Sequence, residues 1–228
     1  MRRRMTAEWM AGSFALALAI VIAFRLGADP GARVSGALRA TARWSFTLFW
    51  LATVGRALVT LLGERFQALA ARARDLGLSY ASAHFVHLGL VVWIYYYAIV
   101  HGTKEPSSNT PIFFFFCIAV FWTYLIALLS FKPFAAKLNA RTCRILRTIG
   151  VEYIALAFFV DFFKSPFQGG FAHIASYAPF AVLSVAGPLL RLAAAGKRLT
   201  ELRRLPVSAR LESPGSGAVH APEGGAFH

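Results

Sequence analysis

The sequence predicts an all-α fold, a polytopic membrane bundle of about six transmembrane helices. Three observations carry that reading. Hydrophobic residues make up 57% of the 228 positions, and mean hydropathy is +0.57. Charged residues account for only 15%, against roughly a quarter in soluble domains. The apolar residues also gather into six runs, most of them near the ~20 residues needed to cross a bilayer.

In chain order the runs are Trp9 to Phe24, Trp44 to Leu62, Leu76 to Val100, Ile112 to Phe131, Ile149 to Phe163 and Ile174 to Ala195. The first and fifth are short. Arg56 interrupts the second, and Glu152 and Asp161 interrupt the fifth. "MRRR" before a short apolar core also describes a signal peptide. No small-x-small site follows closely, the nearest being "ATA" at residues 40 to 42, so the first run reads as an uncleaved anchor. "EPSSNTP" at 105 to 111 and "KSPFQGG" at 164 to 170 read as turns between successive runs. Residues 1–196 thus form the transmembrane domain. Residues 197–228, rich in Pro, Gly, Ser and Ala, read as a cytoplasmic disordered tail.

Charge sets the orientation. The 24 Lys and Arg exceed the 10 Asp and Glu, for a net charge of +14. Nucleic acid is an unsuitable partner, because the basic residues lie between apolar runs, where they face anionic lipid. With both termini inside, 17 basic residues fall on the cytoplasmic side and six outside. The expected setting is therefore a bacterial-type inner membrane with both termini cytoplasmic. The two cysteines, Cys117 and Cys143, are too few for a disulfide framework. No GxGxxG or P-loop pattern occurs, so the chain carries no flavin or NAD domain of its own, and any chemistry must sit in the bundle.

The third run holds three of the six histidines, His84, His87 and His101. At a rise of about 1.5 Å per residue, His87 lies about 16 Å into the run, near mid-membrane. His101 follows 14 residues later, on the same face at roughly 100° per residue. Gly77, Ser79, Ala81, Ser82, Ala83 and Gly89 surround His84 and His87. Such small residues either leave room for a porphyrin beside an axial imidazole or simply let helices pack closely. Glu152 is expected to pair with Arg144 or Arg147, and Asp161 to sit beside Lys164. A non-haem metal site would need His84, His87 and Glu152 together. "YYY" at 95 to 97 and "FFFF" at 113 to 116 suit an interfacial belt. No Ser-His-Asp or Cys-His arrangement stands out, so no catalytic residue is expected.

Three stretches resemble the ferric reductase-like transmembrane family, the haem b membrane subunits distantly related to NADPH oxidase membrane domains. "TARWSFTLFWLATVGRAL" is similar to the family's second helix. "RARDLGLSYASAHFVHLGL" is similar to its third, where a histidine follows the Leu-Gly-Leu element. "NARTCRILRTIGVEYIALAF" resembles the basic segment that runs into the fifth. The resemblance covers residues 41–165. It implies b-type haem, with His87 and His101 as ligands of haem iron, and electron transfer across the membrane between a cytoplasmic reductase or quinone donor and an outer-face redox partner. The family's fifth helix also supplies histidines. Here the corresponding positions hold Leu146 or Arg147, then Val160 or Asp161. His173 and His84 are the remaining candidate ligands, and Arg72, Arg74 and Arg144 are candidate partners for haem propionates. The oxidoreductase component so implied has an alternative, a diverged haem-free membrane partner or assembly subunit. A transporter lacks its usual mark, since no run is broken at mid-membrane.

Overall fold

The computed structural model describes residues 2–26, 30–101, 110–168 and 171–204. Helix dominates, and no strand occurs among the described residues. The elements are α1 (Arg2–Leu26), α2 (Pro30–Leu62), a 3₁₀ turn (Glu64–Phe66), α3 (Gln67–Ala71), α4 (Ala73–Val100), α5 (Thr110–Leu129), α6 (Lys132–Ala135), α7 (Ala140–Gln168) and α8 (Phe171–Arg204). The six long helices correspond to the six apolar runs, and the all-α bundle expected from the sequence is present. Four of them contain stretches long and apolar enough to cross a membrane: Met5–Ala23, Gly36–Leu62, Ala73–Val100 and Tyr177–Glu201. The apolar part of α5, Phe113–Leu129, is shorter, and α7 carries charge within its length.

Lipid explains the outer surface. Leu18, Ile22, Phe85, Ile99, Phe121 and Leu192 are all exposed, which in water would form apolar patches far beyond those of a soluble monomer. Helices apolar on every side belong in a bilayer, and this is a membrane protein. Inside such a bundle, hydroxyls must find internal acceptors. Thr47, Thr53, Thr123 and Ser130 do so by donating to the carbonyl four residues back, at 2.8 to 3.0 Å.

The chain runs up and down, so both described ends, Arg2 and Arg204, lie at one end of the bundle. α2 is the hub, packed against α1, α4 and α8, while α7 bridges α8 and α5. The core is aromatic. Phe46 of α2 meets Phe158 and Phe162 of α7 edge-on, with centroids 5.1 and 4.9 Å apart. Trp50 Nε1 donates to the Leu183 carbonyl at 2.9 Å, joining α2 to α8. α1 is locked to α4 by Thr6 Oγ1 donating to Asp75 at 2.7 Å and Ser82 Oγ donating to the Met10 carbonyl at 3.0 Å.

Two boundaries differ from expectation. α7 continues through Pro166 to Gln168 instead of turning at Lys164; a proline in the final turn forgoes a single ladder bond. α8 runs to Arg204, eight residues into the segment read as a tail, and the rest of that tail lies outside the described residues. So does the turn expected at 105 to 111, apart from Thr110 and Pro111, which open α5; in this first turn the missing N–H of Pro111 costs nothing.

α5 and α7 meet at Gly150. A Cβ there would lie 2.7 Å from both Ile126 Cδ1 and Trp122 Cε3. Gly150→Val should therefore overpack the contact by about 1–3 kcal/mol and lower the thermal unfolding midpoint in detergent. An unchanged midpoint would mean that the two helices do not pack through this glycine.

Candidate functional site

α4 and α7 approach each other through side chains, Tyr80 against Phe158 with ring centroids 6.1 Å apart. α5 leans mainly on α7. The space left between α4, α5 and α7 is a cavity of about 910 Å³. That is at the upper end of the ~300–1,000 Å³ range of ligand and cofactor pockets. α4 contributes His84, His87, Val91 and Tyr95; α5 contributes Cys117 and Thr123; α7 contributes Ala157, Phe158 and Asp161. Val92, Tyr96, Ile99 and Phe113, which also line it, are exposed, so its mouth opens between α4 and α5 toward the end of the bundle away from the termini.

His87 is held from behind. Its Nδ1 lies 3.0 Å from Thr41 Oγ1 of α2. Thr41 is fully buried and its hydroxyl donates backward to the Ala37 carbonyl at 2.8 Å, with the Leu38 carbonyl at 3.1 Å. A hydroxyl has one proton. The arrangement that satisfies both groups has Thr41 donating to the backbone and accepting from His87 Nδ1–H. That tautomer leaves the Nε2 lone pair as the nitrogen available to the cavity. Metal-binding histidines are oriented in the same way, by a hydrogen bond at the other ring nitrogen.

His84 stands beside it, ring centroids 5.7 Å apart, between Tyr80 at 5.5 Å and Tyr124 at 6.3 Å. Its Nδ1 is buried and has no hydrogen-bond partner among the described residues, and neither has the Tyr124 hydroxyl. Tyr80, by contrast, shares a 2.9 Å hydrogen bond with Thr123 Oγ1. Unpartnered polar atoms in an apolar interior are costly. Of the two residues that carry them, His84 lines the cavity and Tyr124 does not.

The structure brings His84 and His87 together and leaves His101 apart. His101 caps the end of α4, exposed, stacked on Tyr97 at 4.0 Å; it does not line the cavity. His173 falls in the first turn of α8, and its side chain lies outside those described. Opposite His87, α7 presents Ile154, Ala157, Phe158 and Asp161, with no imidazole. Glu152 pairs with Arg191 of α8, Nη2 to Oε2 at 2.7 Å and Nε to Oε1 at 3.0 Å, rather than with Arg144 or Arg147. Arg147 instead donates to the Leu129 carbonyl. A site built from His84, His87 and Glu152 is thereby ruled out. Among the described residues no group of three His, Cys, Asp or Glu could hold a metal ion.

The basic residues named as propionate partners are elsewhere. Arg74 Nε donates to the Ser130 carbonyl at 3.1 Å, Arg72 lies over Trp9, and neither they nor Arg144 line the cavity. Asp161 lines it, and the Lys164 side chain expected beside it lies outside those described. Of the small residues of α4, Ser79, Ala81 and Ala83 are buried and Ser82 holds α1, whereas a Cβ on Gly77 or Gly89 would meet nothing within 4 Å. The aromatic runs are more than a belt, since Tyr95, Tyr96, Phe113 and Phe116 line the cavity. Thr41 escaped sequence reasoning because it is 46 residues from His87 and reads as an ordinary helix residue.

Replacing Thr41 by valine keeps the volume and strands His87 Nδ1, which should cost about 1–3 kcal/mol. The unfolding midpoint in detergent should fall for Thr41→Val and stay near wild type for Thr41→Ser; equal midpoints for all three would contradict the hydrogen bond. Comparisons of the chain with protein-family models, curated proteins and solved structures found no match.

Proposed function

We propose that the α4–α5–α7 cavity binds b-type haem, which His87 would hold through its iron, and that the chain is an integral-membrane electron-transfer subunit resembling the ferric reductase-like family. The observation that carries this reading is the Thr41–His87 hydrogen bond, which orients a lone-pair nitrogen at the wall of a 910 Å³ cavity. When bound, haem supplies reversible one-electron oxidation and reduction of its iron. The residues of the chain do the rest. Thr41 fixes the ring and tautomer of His87, Val91, Ala157 and Phe158 offer apolar surface to the macrocycle, and Tyr95, Tyr96 and Phe113 shield the mouth from water. His84 is the nearest second imidazole, while His101 stacks on Tyr97 outside this site.

The excess of basic residues at the termini-bearing end supports reading that end as cytoplasmic in a bacterial-type inner membrane. The cavity mouth then lies toward the outer leaflet. Electrons would come from a cytoplasmic reductase or a membrane quinone and leave to an outer-face redox partner, since the chain shows no nucleotide-binding motif. A second reading, a haem-free membrane partner or assembly subunit, is favoured by one observation: α7 offers hydrocarbon and Asp161 where a second ligand would stand.

Optical spectra separate the two. Protein expressed with haem supplied and purified in detergent should give a b-type α band on dithionite reduction. His87→Ala should abolish the band, while His101→Ala should leave it. A folded protein with no band would establish the haem-free reading, and a band that survives His87→Ala would remove His87 as the ligand.

A further inference from the structure

A second cavity, of about 280 Å³, lies at the termini-bearing end between α2, α3 and α8. It is lined by Arg56, Val59, Gln67, Ala70, Ala71 and Arg198. Its walls are built. Gly63, at φ 94°, turns the chain after α2, a conformation open to glycine and strained for other residues. α3 then lies against α2 so closely that a Cβ on Gly55 would sit 3.0 Å from Ala70 N and 3.2 Å from Leu69 C. From the other side, Lys197 Nζ donates to the Thr60 carbonyl at 2.8 Å and Arg198 Nη2 donates to Thr60 Oγ1 at 2.7 Å. These bonds clamp α8 to the last turn of α2 and set the Arg198 guanidinium at the rim.

Arg198 spends one donor on Thr60, leaving others for the cavity. Arg56 has no hydrogen-bond or ion-pair partner among the described residues, and neither Glu64 nor Glu201 pairs with either arginine. Two guanidinium groups and the Gln67 amide therefore converge on a small space that holds no acid. Arg56 is six residues before the end of α2, about 9 Å along the axis, and its exposed side chain lines the cavity.

We propose that this cavity binds a phosphate group, gripped by Arg56 and Arg198 with Gln67 as an additional donor. The guanidinium fork matches the spacing of phosphate oxygens and binds them by charge-assisted hydrogen bonds. Both a phospholipid headgroup and free phosphate offer that chemistry. The site is independent of the histidine-lined cavity, so it stands whether or not haem binds there.

Binding to the full chain in detergent is measured with three probes: short-chain phosphatidate, inorganic phosphate, and diacylglycerol of the same chain length as a phosphate-free control. Saturable binding of phosphatidate alone supports the site and assigns the lipid source. Binding of both phosphate probes supports the site and assigns free phosphate as a sufficient ligand. In either case Arg56→Gln should weaken binding by at least about tenfold, and Arg56→Lys by less, because it keeps the charge and loses the fork. Arg56 is exposed and holds no other group in place, so this variant keeps the fold; Arg198→Gln, which also loses the Thr60 contact, is the second variant. Binding of neither phosphate probe, equal binding of diacylglycerol, or affinities unchanged in both glutamine variants would overturn the proposal.

Discussion

The hydrogen bond between Thr41 and His87 joins the hub helix to the helix that lines the cavity. In a hydrocarbon surrounding there is no water to satisfy a stray polar atom, so a partner within the protein is worth more than in water. Thr41 has two such partners, donating to its own helix and accepting from His87. The contact with His87 ties α4 to α2 within one of the bundle's most extensive helix–helix interfaces. On α4, Ser82 meets α1, while Val91, Val92 and Tyr95 line the cavity.

Packing around α2 then determines where space is left. α2 is met by α1, α4 and α8, and the aromatic cluster of Phe46, Phe158 and Phe162 draws α7 to the same core. α5 is held by α7 through the close contact at Gly150 and by the Tyr153 hydroxyl donating to the Phe115 carbonyl at 3.1 Å. The side of α5 toward α4 is less engaged, and this unequal attachment opens the cavity. The same hub organises the termini-bearing end, where Gly55 admits α3 and Thr60 receives α8. One helix thus supplies the backing for a histidine near its start and one wall of a basic pocket near its finish.

Much of the fold was legible in the sequence, because lipid imposes a one-dimensional code: a run of about twenty apolar residues is a spanning helix. All six runs became helices. The ends were less legible, since helix continues through Pro166 and to Arg204 where local composition suggested turn and tail. His84 and His87 stood out in the sequence as imidazoles within an apolar run; Thr41, which lies beside His87, did not. Thr41 and Glu152 illustrate the reason. Local spacing nominates neighbours on the same helix, so Glu152 suggested Arg144 or Arg147, yet in a bundle its partner came from the adjacent helix as Arg191. Aromatic runs such as "YYY" and "FFFF" carry a similar ambiguity, because a ring at the membrane edge and a ring at a cavity mouth leave the same trace in sequence.

The cavity has value for redox chemistry only if His87 turns a lone pair toward it. Nitrogen-15 NMR of histidine-labelled protein in the haem-free state reads this directly, with His87 assigned by its loss in His87→Asn. A protonated Nδ1 with an unprotonated Nε2 is the expected tautomer, reverting toward a mixture in Thr41→Val. A His87 ring protonated at Nε2 in the wild-type protein would contradict the account, because no lone pair would then face the space where iron is proposed to sit.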